Sequence, residues 1–380
     1  MIPYGRQSID EDDIAAVVEV LRGDFLTTGP KIQEFEEALC GTTGSDYAVA
    51  CSNGTTALHL AGLALDLQEG DSVIVPSLTF LATANAVRHC GAEIVFADVN
   101  PETGLMEVQH LEEALSRCEN QKAKAVFPVH LTGQCVDLKA MKAFTKERGI
   151  KIVADSCHAL GGVYNDKSVG ACEYEDLSTF SFHPVKTIAM GEGGAVTTNS
   201  LDYADKMRRL RNHGMVKNEA QGPWAYEMQE LGHNYRVTDI QCALGISQLK
   251  KLERFVARRR ELVALYDNLL PPLAQVVLPP EKVNCCDPAW HLYAVRIDFE
   301  QTGMARAQLM TQLADEGVGT QVHYIPVHTQ PYYKKRYGDV VLPGATHYYG
   351  HTLSLPLYPS MKDSDVSFVV EQLKKAIGVG

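Results

Sequence analysis

Four polar segments of the chain adjoin apolar runs, and their residue types suit a site that binds an anion and activates an amine. They are residues 52–58, 155–158, 179–194 and 231–240. In open α/β sheets, ligands bind at the carboxyl ends of the strands. Polar residues at predicted strand ends are therefore the first candidates for chemistry.

Residues 52–56 read Ser-Asn-Gly-Thr-Thr and stand between a predicted strand and a predicted helix. Small hydroxyl residues and a glycine at a helix N-terminus offer N–H and O–H donors to an anion such as a phosphate. The alternative is an ordinary helix cap. Neither a Walker loop nor a G-x-G-x-x-G fingerprint is present.

Lys186 stands between an apolar strand and the glycine-dense turn 191–194. Partial burial lowers the pKa of a lysine and makes its neutral amine available for a Schiff base, whereas the alternative is a solvated surface lysine. Asp155 ends the apolar run 151–154 and is followed by His158. A buried carboxylate needs a partner, which could be a protonated heteroaromatic nitrogen or a neighbouring loop. His158 alone is more typical of a core histidine.

In the fourth segment, Arg236 has the fork geometry that suits phosphate oxygens, while Thr238 or Asp239 could cap the helix that follows. The segments together supply a phosphate cradle, a carboxylate and, 31 residues after Asp155, a lysine. A lysine and a carboxylate for a pyridine nitrogen are the recurring requirement of pyridoxal phosphate enzymes. The combination predicts that cofactor more strongly than any one segment.

The elements that position these residues alternate between short apolar runs and helical patterns, which predicts an α/β fold with a parallel sheet covered on both faces. The predicted strands are residues 47–50, 72–75, 93–97, 125–127, 151–154 and 194–198. Helices are predicted at 56–67, at 81–90 and from Asp137 onward.

A long helical pattern from Val237 to about Leu270 contains the predicted domain boundary. Residues 1–255 would form a large cofactor-binding domain and residues 256–380 a smaller α+β domain. The smaller domain is predicted to hold strands at 292–297 and 320–323 and a helix at 304–316.

The charge balance of 35 Lys+Arg against 47 Asp+Glu gives −12, which disfavours a nucleic-acid-binding role. No apolar stretch approaches the roughly 18 residues of a membrane span and the start has no signal-peptide pattern, so a cytoplasmic protein is expected. The ten cysteines include no C-x-x-C pair, and we expect reduced thiols and no metal site. The adjacent pair Cys285-Cys286 leaves a redox role open.

At these residues the chain resembles the DegT/StrS-like sugar-nucleotide aminotransferases over essentially its whole length. The resemblance is carried by residues 29–36, 52–55, 76–80, 181–186 and 234–236 and by Asp155. It implies the type I aminotransferase fold, with a mostly parallel central sheet, helices on both faces and a smaller C-terminal α+β domain. It also implies pyridoxal 5′-phosphate as the cofactor.

The resemblance implies a role for each matching residue. Lys186 would bind the cofactor covalently, Asp155 would pair with its ring nitrogen, Thr55, Thr56 and Ser181 would hold its phosphate, Phe80 would stack on its ring, and His158 would lie beside its phenolic oxygen. The family often has tryptophan or tyrosine in place of Phe80 and glutamine in place of His158. Asn234 or Arg236 would reach the phosphate of a neighbouring subunit, which implies a homodimer with shared active sites.

Within the family, residues 182–186, 226–232 and 319–328 resemble in particular the branch that acts in pseudaminic acid biosynthesis. This likeness implies amino transfer from L-glutamate to the C4 ketone of a UDP-linked 4-keto-6-deoxy-N-acetylhexosamine. His323 or Tyr324 would contact the sugar, the alternative being a strand and a proline-stiffened loop. The rival functions are amination of another nucleotide-linked keto-sugar, a regulatory protein without turnover, and a dehydratase, whose branch has histidine in place of the lysine.

Overall fold

The computed structural model describes residues 1–119 and 122–378. The elements of its first half are α1 Glu11–Arg22, α2 Pro30–Thr43, β1 Tyr47–Cys51, α3 Gly54–Ala64, β2 Ser72–Pro76, α4 Leu81–His89, β3 Glu93–Ala97, α5 Val108–Ser116, β4 Ala125–Val126, α6 Leu138–Lys146, β5 Lys151–Asp155, β6 Val163–Tyr164, β7 Lys167–Ser168, β8 Leu177–Ser181 and β9 Gly194–Thr198. The elements of the second half are α7 Leu201–Arg211, β10 Met215–Lys217, β11 Tyr226–Met228, α8 Asp239–Leu249, α9 Leu252–Leu269, β12 Val277–Leu278, β13 Cys286–Asp287, β14 Tyr293–Ile297, α10 Arg306–Asp315, α11 Pro331–Tyr337, α12 Pro343–His351, β15 Thr352–Leu355 and α13 Asp363–Ala376.

A seven-stranded sheet in the order β1-β9-β8-β5-β4-β2-β3 forms the centre of the molecule. All neighbouring pairs from β8 to β3 are parallel, whereas β9 runs antiparallel to both β1 and β8. The mostly parallel sheet predicted from the sequence is confirmed, and the six predicted strands are present. The sequence predicted β9 as one more parallel strand, which is wrong: β9 is as fully buried as its neighbours, so its apolar run does not reveal its direction.

Helix α3 helps to position the site, and helix α6 shows how a local cap fixes the start of a helix. Helix α3 packs on β8 and β9, which brings its N-terminus beside the end of β8. Helix α6 begins where the sequence predicted it, because the Asp137 side chain accepts a hydrogen bond from the Ala140 N–H at 3.0 Å. Asp155 is the last residue of β5, at the carboxyl edge of the sheet.

The predicted long helix from Val237 is two helices, α8 and α9, which break at Lys250 and Lys251. Lys251 forms an ion pair with the fully buried Asp13 of α1 at 2.9 Å, and this contact lies at the break. A second hydrophobic cluster begins at Leu262 and gathers residues of α9, α10, α13 and the sheet β12-β14-β15. The division at residues 255 and 256 stays a prediction.

The predicted strand at 320–323 is wrong, since residue 321 forms only an isolated bridge to Ser354. The Val322 N–H donates instead to the Gln321 side chain at 2.8 Å, which removes it from a strand ladder. All ten cysteines carry free thiols, and Cys286 Sγ accepts a hydrogen bond from the Cys135 N–H at 3.2 Å. Within the described ranges, no helix is long and apolar enough to cross a membrane.

Candidate active site

A cleft of about 650 Å³ opens at the carboxyl edge of the central sheet. The predicted site residues that line it are Thr55, Phe80, Asp155, His158, Ser181, Lys186, His323 and Tyr324. They come from five separate parts of the chain, and the fold brings them together. The cleft is therefore the place where the predicted chemistry converges.

The N-terminus of α3 forms one end of the cleft. The Asn53 side chain caps the helix by accepting the Thr56 N–H at 2.9 Å, and the Thr56 hydroxyl donates to the Asn53 carbonyl at 2.8 Å. In the described chain the N–H groups of Gly54 and Thr55 have no hydrogen-bond partner, as expected for a first helical turn. Thr55 is exposed to the cleft, whereas the Thr56 hydroxyl is engaged in capping.

Gly54 allows Ser181 to complete this end of the cleft. A Cβ at residue 54 would lie 2.7 Å from the Ser181 Cβ and 3.1 Å from its Oγ. Glycine is therefore required for the close approach of α3 to the end of β8. The N–H groups of the helix, its dipole and two hydroxyls then face a common space, which suits a phosphate.

Asp155 lies on the floor of the cleft and is only 6% exposed. Its Oδ2 accepts a hydrogen bond from the Thr83 hydroxyl at 2.7 Å, and its Oδ1 accepts one from the Cys157 N–H at 3.2 Å. Both donors are neutral, so they stabilise the carboxylate without neutralising its charge. The site thus offers a fixed negative charge to a cation in the cleft.

Lys186 is half-buried in the turn that follows β8, where its N–H donates to the His183 carbonyl at 2.8 Å. Burial lowers the pKa of the Lys186 amine, and the neighbouring Cys157 and Asp155 oppose this shift. The lowered pKa increases the share of neutral amine, which is the nucleophilic form.

Three buried histidines and the half-buried Tyr324 line the same cleft as the lysine. His158 Nε2 lies 3.0 Å from the Tyr324 hydroxyl, and the His158 ring lies 4.4 Å from that of His291. Burial, reinforced by the Lys186 charge, holds the pKa of His158 well below its ordinary range and lowers that of His323 to about 3. These histidines are therefore neutral near pH 7 and present hydrogen-bonding groups without positive charge.

Phe80 stands at the opening of the cleft, 56% exposed, with its ring 5.8 Å from that of Tyr324. An apolar ring this exposed inside a cleft suits a flat ligand. The residues that line or support the cleft and to which sequence reasoning gave no role include Tyr4, Thr79, Thr83 and His291. The sequence around these residues does not indicate a functional role, because the residues they contact in the cleft lie tens to hundreds of positions away in the chain.

The structure does not bring Asn234 or Arg236 into this cleft of their own chain. Arg236 lines a separate cavity of about 730 Å³ together with Arg208 and Arg211, and its guanidinium donates to the Asn212 side chain at 2.8 Å. Asn234 forms a β-bridge with Asn212. Within one chain, these two residues and Lys186 thus belong to different sites.

The donors in the cleft fit pyridoxal phosphate. The first turn of α3 and Ser181 match a phosphate, Asp155 matches a protonated ring nitrogen, and Lys186 matches an aldehyde. In addition, the buried His158 Nδ1 has no hydrogen-bond partner in the described chain. Buried polar atoms in proteins are rarely left unpaired, so this nitrogen indicates a missing polar group.

The fold and the cleft together define an enzyme that uses a phosphorylated aldehyde cofactor. The DegT/DnrJ/EryC1/StrS aminotransferase family matches residues 7–374, and the chain belongs to this family. The spore coat polysaccharide biosynthesis protein SpsC of Bacillus subtilis (strain 168) is 38% identical over 384 residues, which cover 99% of this chain and 97% of that protein.

Solved structures agree in fold over the whole chain. Helicobacter pylori PseC, an aminotransferase involved in the biosynthesis of pseudoaminic acid, has a TM-score of 0.91 and 30% identity, covering 99% of each chain. The putative sugar aminotransferase Spr1654 from Streptococcus pneumoniae, in its PMP-form, has a TM-score of 0.91 and 29% identity, covering 100% of this chain and 99% of that one. The chain is a sugar aminotransferase of the type I fold and depends on pyridoxal phosphate. The fold, enzyme class and cofactor predicted from the sequence are confirmed.

Proposed function

We propose that the enzyme transfers the amino group of L-glutamate to the C4 ketone of a UDP-linked 4-keto-6-deoxy-N-acetylhexosamine, the reaction expected in pseudaminic acid biosynthesis. The observation that carries the proposal is the meeting of Lys186, Asp155 and the open N-terminus of α3 in one cleft. The similarity to PseC over 99% of the chain supports the choice of sugar.

The cofactor would be held by residues of every wall of the cleft. These are Thr55 and Ser181 at the phosphate, Asp155 at the ring nitrogen, His158 at the phenolic oxygen, Phe80 on the ring face and Lys186 at the aldehyde carbon. Thr56, which caps α3 beside Thr55 and does not itself line the cleft, would complete the phosphate site. When bound, pyridoxal phosphate supplies an aldehyde that binds amines covalently and a protonated ring that withdraws electrons from the reacting carbon.

Lys186 Nζ would be the proton carrier of the reaction. Because burial lowers the pKa of Lys186, its side-chain amine, once it is no longer bonded to the cofactor, is available in the neutral form. This amine would then accept a proton from the α-carbon of glutamate. The same Nζ then returns a proton in the half-reaction on the sugar. The Asp155 carboxylate would stabilise a positive charge on the ring nitrogen, since opposite charges attract more strongly at a buried carboxylate than in water.

His323 and Tyr324 would contact the sugar from the facing wall. His323 Nδ1 lies 2.8 Å from the Ser354 hydroxyl, which fixes the ring and leaves Nε2 for a sugar hydroxyl. The Tyr324 hydroxyl contacts His158, so the sugar-binding wall and the cofactor-binding wall are joined by one hydrogen bond. Both side chains are uncharged, as suits recognition of a neutral sugar ring.

The active sites would be shared in a homodimer, with Asn234 or Arg236 reaching the cofactor phosphate of the second copy. Their position outside the cleft of their own chain supports this arrangement. So does the group of Arg208, Arg211 and Arg236, which lines an open cavity rather than the packed core. Arg208 and Arg211 are paired with Asp205 and Glu36 of their own chain. Arg236 instead contacts the neutral Asn212 side chain, so its charge would be available to an anion held by the second copy.

A second candidate is amination of a different nucleotide-linked keto-sugar, for a polysaccharide. The 38% identity to SpsC, whose name places it in spore coat polysaccharide biosynthesis, favours it.

The test is a mass-spectrometric assay with glutamate and a panel of UDP- and dTDP-linked 3-keto and 4-keto sugars. Selective amination of the UDP-linked 4-keto-N-acetyl sugar supports the proposal, and amination of only a dTDP-linked 3-keto sugar overturns it. Turnover must disappear in Lys186→Ala, or the residue assignment and the catalytic role of this lysine are wrong.

A further inference from the structure

Two threonines beneath the cleft, Thr79 and Thr83, have no part in the function proposed above. Thr79 directly precedes Phe80, the N-cap residue of α4, and Thr83 lies in the first turn of that helix. Both are fully buried, with exposures of 1% and 0%. Buried hydroxyls need hydrogen-bond partners, so the partners of these two show what the pair does.

The hydrogen bonds of the pair have a defined direction. Thr83 Oγ1 lies 2.7 Å from Asp155 Oδ2 and 2.7 Å from Thr79 Oγ1. A carboxylate can only accept, so Thr83 uses its single hydroxyl proton on Asp155 and must accept the proton of Thr79. The other acceptor near Thr83 is the Phe80 carbonyl, at a longer 3.3 Å. The two hydroxyls thus form a chain that ends on the carboxylate.

This chain holds one oxygen of the carboxylate in place. Thr83 holds Oδ2, while the Cys157 N–H holds Oδ1 at 3.2 Å. With one donor on each oxygen, rotation of the carboxylate is restricted. Because both donors are neutral, the negative charge stays available to a cation on the cleft side. A lysine or arginine in place of Thr83 would instead compete for that charge.

We propose that Thr83, supported by Thr79, is a positioning residue that orients Asp155 toward the protonated ring nitrogen of the cofactor. The inference rests on the role proposed for Asp155. Residues 79–83 would then act on the cofactor ring in two places. Thr79 and Thr83 act through Asp155 at the ring nitrogen, and Phe80, at the opening of the cleft, lies on the ring face. The hydroxyl of Thr83 acts only through Asp155 and touches no reacting atom.

The test compares two ligands on apo-protein: pyridoxal phosphate and its carbocyclic analogue, in which carbon replaces the ring nitrogen. Thr83→Val removes the hydroxyl at nearly constant shape. We expect a rise of at least about tenfold in the Kd for pyridoxal phosphate, the lower end of what a hydrogen bond to a charged group contributes. The Kd for the analogue should stay within about twofold, because the analogue has no nitrogen for Asp155 to bind. Thr83→Ser, which keeps the hydroxyl, should restore the wild-type value.

Equal losses for both ligands would assign Thr83 a merely structural role and overturn the proposal, as would no loss for either. Thr197→Val is the matched control, since it removes a fully buried hydroxyl that donates to the Gly170 carbonyl at 2.8 Å outside the cleft. If Thr83→Val does not fold, Thr79→Val tests the same chain. It should weaken pyridoxal phosphate binding by about threefold, less than loss of the direct donor, and leave the analogue unaffected.

Asp155→Ala separates this inference from the proposed function. If Asp155→Ala loses affinity for pyridoxal phosphate but not for the analogue, the role of Asp155 is supported whatever Thr83 does. If Asp155→Ala binds both ligands as the wild type does, the proposed role of Asp155 is wrong, and the inference about Thr83 is overturned with it. Selective loss in Asp155→Ala without selective loss in the threonine variants overturns the Thr83 inference alone.

Discussion

The close approach of α3 to β8 at Gly54 leads to a prediction that tests the phosphate site. In Gly54→Ala, the new Cβ would lie 2.7 Å from the Ser181 Cβ, at least about 0.8 Å closer than carbon atoms pack in proteins. Ser181 is paired with Gly194 of β9, so it is held by the sheet. The overlap must therefore be relieved by moving the first turn of α3 away from Ser181, which separates the two groups proposed to hold the phosphate.

Overpacking of this size costs about 1–3 kcal/mol. If cofactor binding must restore the close approach, the Kd for pyridoxal phosphate rises by about 5- to 150-fold. The assay is a titration of apo-protein with pyridoxal phosphate, followed by the absorbance of the bound cofactor. Gly41→Ala on α2 is the control, since a Cβ there meets nothing within 4 Å. A Gly54→Ala protein with a Kd within twofold of wild type would refute this account of the phosphate site.

Three further predictions concern other residues. Burial lowers the pKa of Lys186, so the rate at which apo-protein captures pyridoxal phosphate covalently should rise with pH. The midpoint of this rise, measured by borohydride trapping, should lie below the ordinary lysine value of about 10.4. A midpoint at or above that value would contradict the prediction. Arg259 is fully buried, and the two protons of its Nη1 are shared among three backbone carbonyls within hydrogen-bond distance. Arg259→Ala should therefore lower the free energy of unfolding by about 3 kcal/mol, because it opens a cavity and leaves those carbonyls without this donor. Denaturant unfolding that shows a loss of less than about 1 kcal/mol would argue against it. If Arg236 acts on the cofactor of the partner subunit, a dimer of one Lys186→Ala chain and one Arg236→Ala chain contains one intact site. Half of randomly paired dimers are of this kind, so mixing the two inactive variants should restore about a quarter of the sites. No recovery of activity after subunit exchange would contradict the shared site.

Much of the site could be predicted from the sequence because its principal residues stand beside apolar runs. Asp155 ends a strand and Lys186 precedes a glycine-dense turn, so local pattern marks both as candidates, and their combination with the phosphate-binding segment indicates the cofactor. Ser181 and Thr55 likewise lie at element ends. The mostly parallel sheet followed from the same runs, which are apolar throughout because both faces of the sheet are covered.

The rest depends on contacts that no local pattern records. Thr83 and Asp155 are 72 residues apart in the chain. His291, whose ring contacts that of His158, comes after α9 in the sequence. The antiparallel direction of β9 is invisible in a strand buried on both faces. The interruption between α8 and α9 coincides with the ion pair of Lys251 and Asp13, whose partners are more than 200 residues apart.

The central claim, that this cleft uses pyridoxal phosphate on Lys186 to aminate a UDP-linked 4-keto sugar, is tested most directly by one measurement. Holoenzyme is incubated with L-glutamate and a UDP-linked 4-keto-6-deoxy-N-acetylhexosamine, and the nucleotide sugar is analysed by mass spectrometry and NMR. We expect a product in which an amine replaces the C4 ketone, formed by the wild type and absent with Lys186→Ala. A holoenzyme that leaves this sugar unchanged, or a Lys186→Ala variant that still aminates it, would contradict the claim.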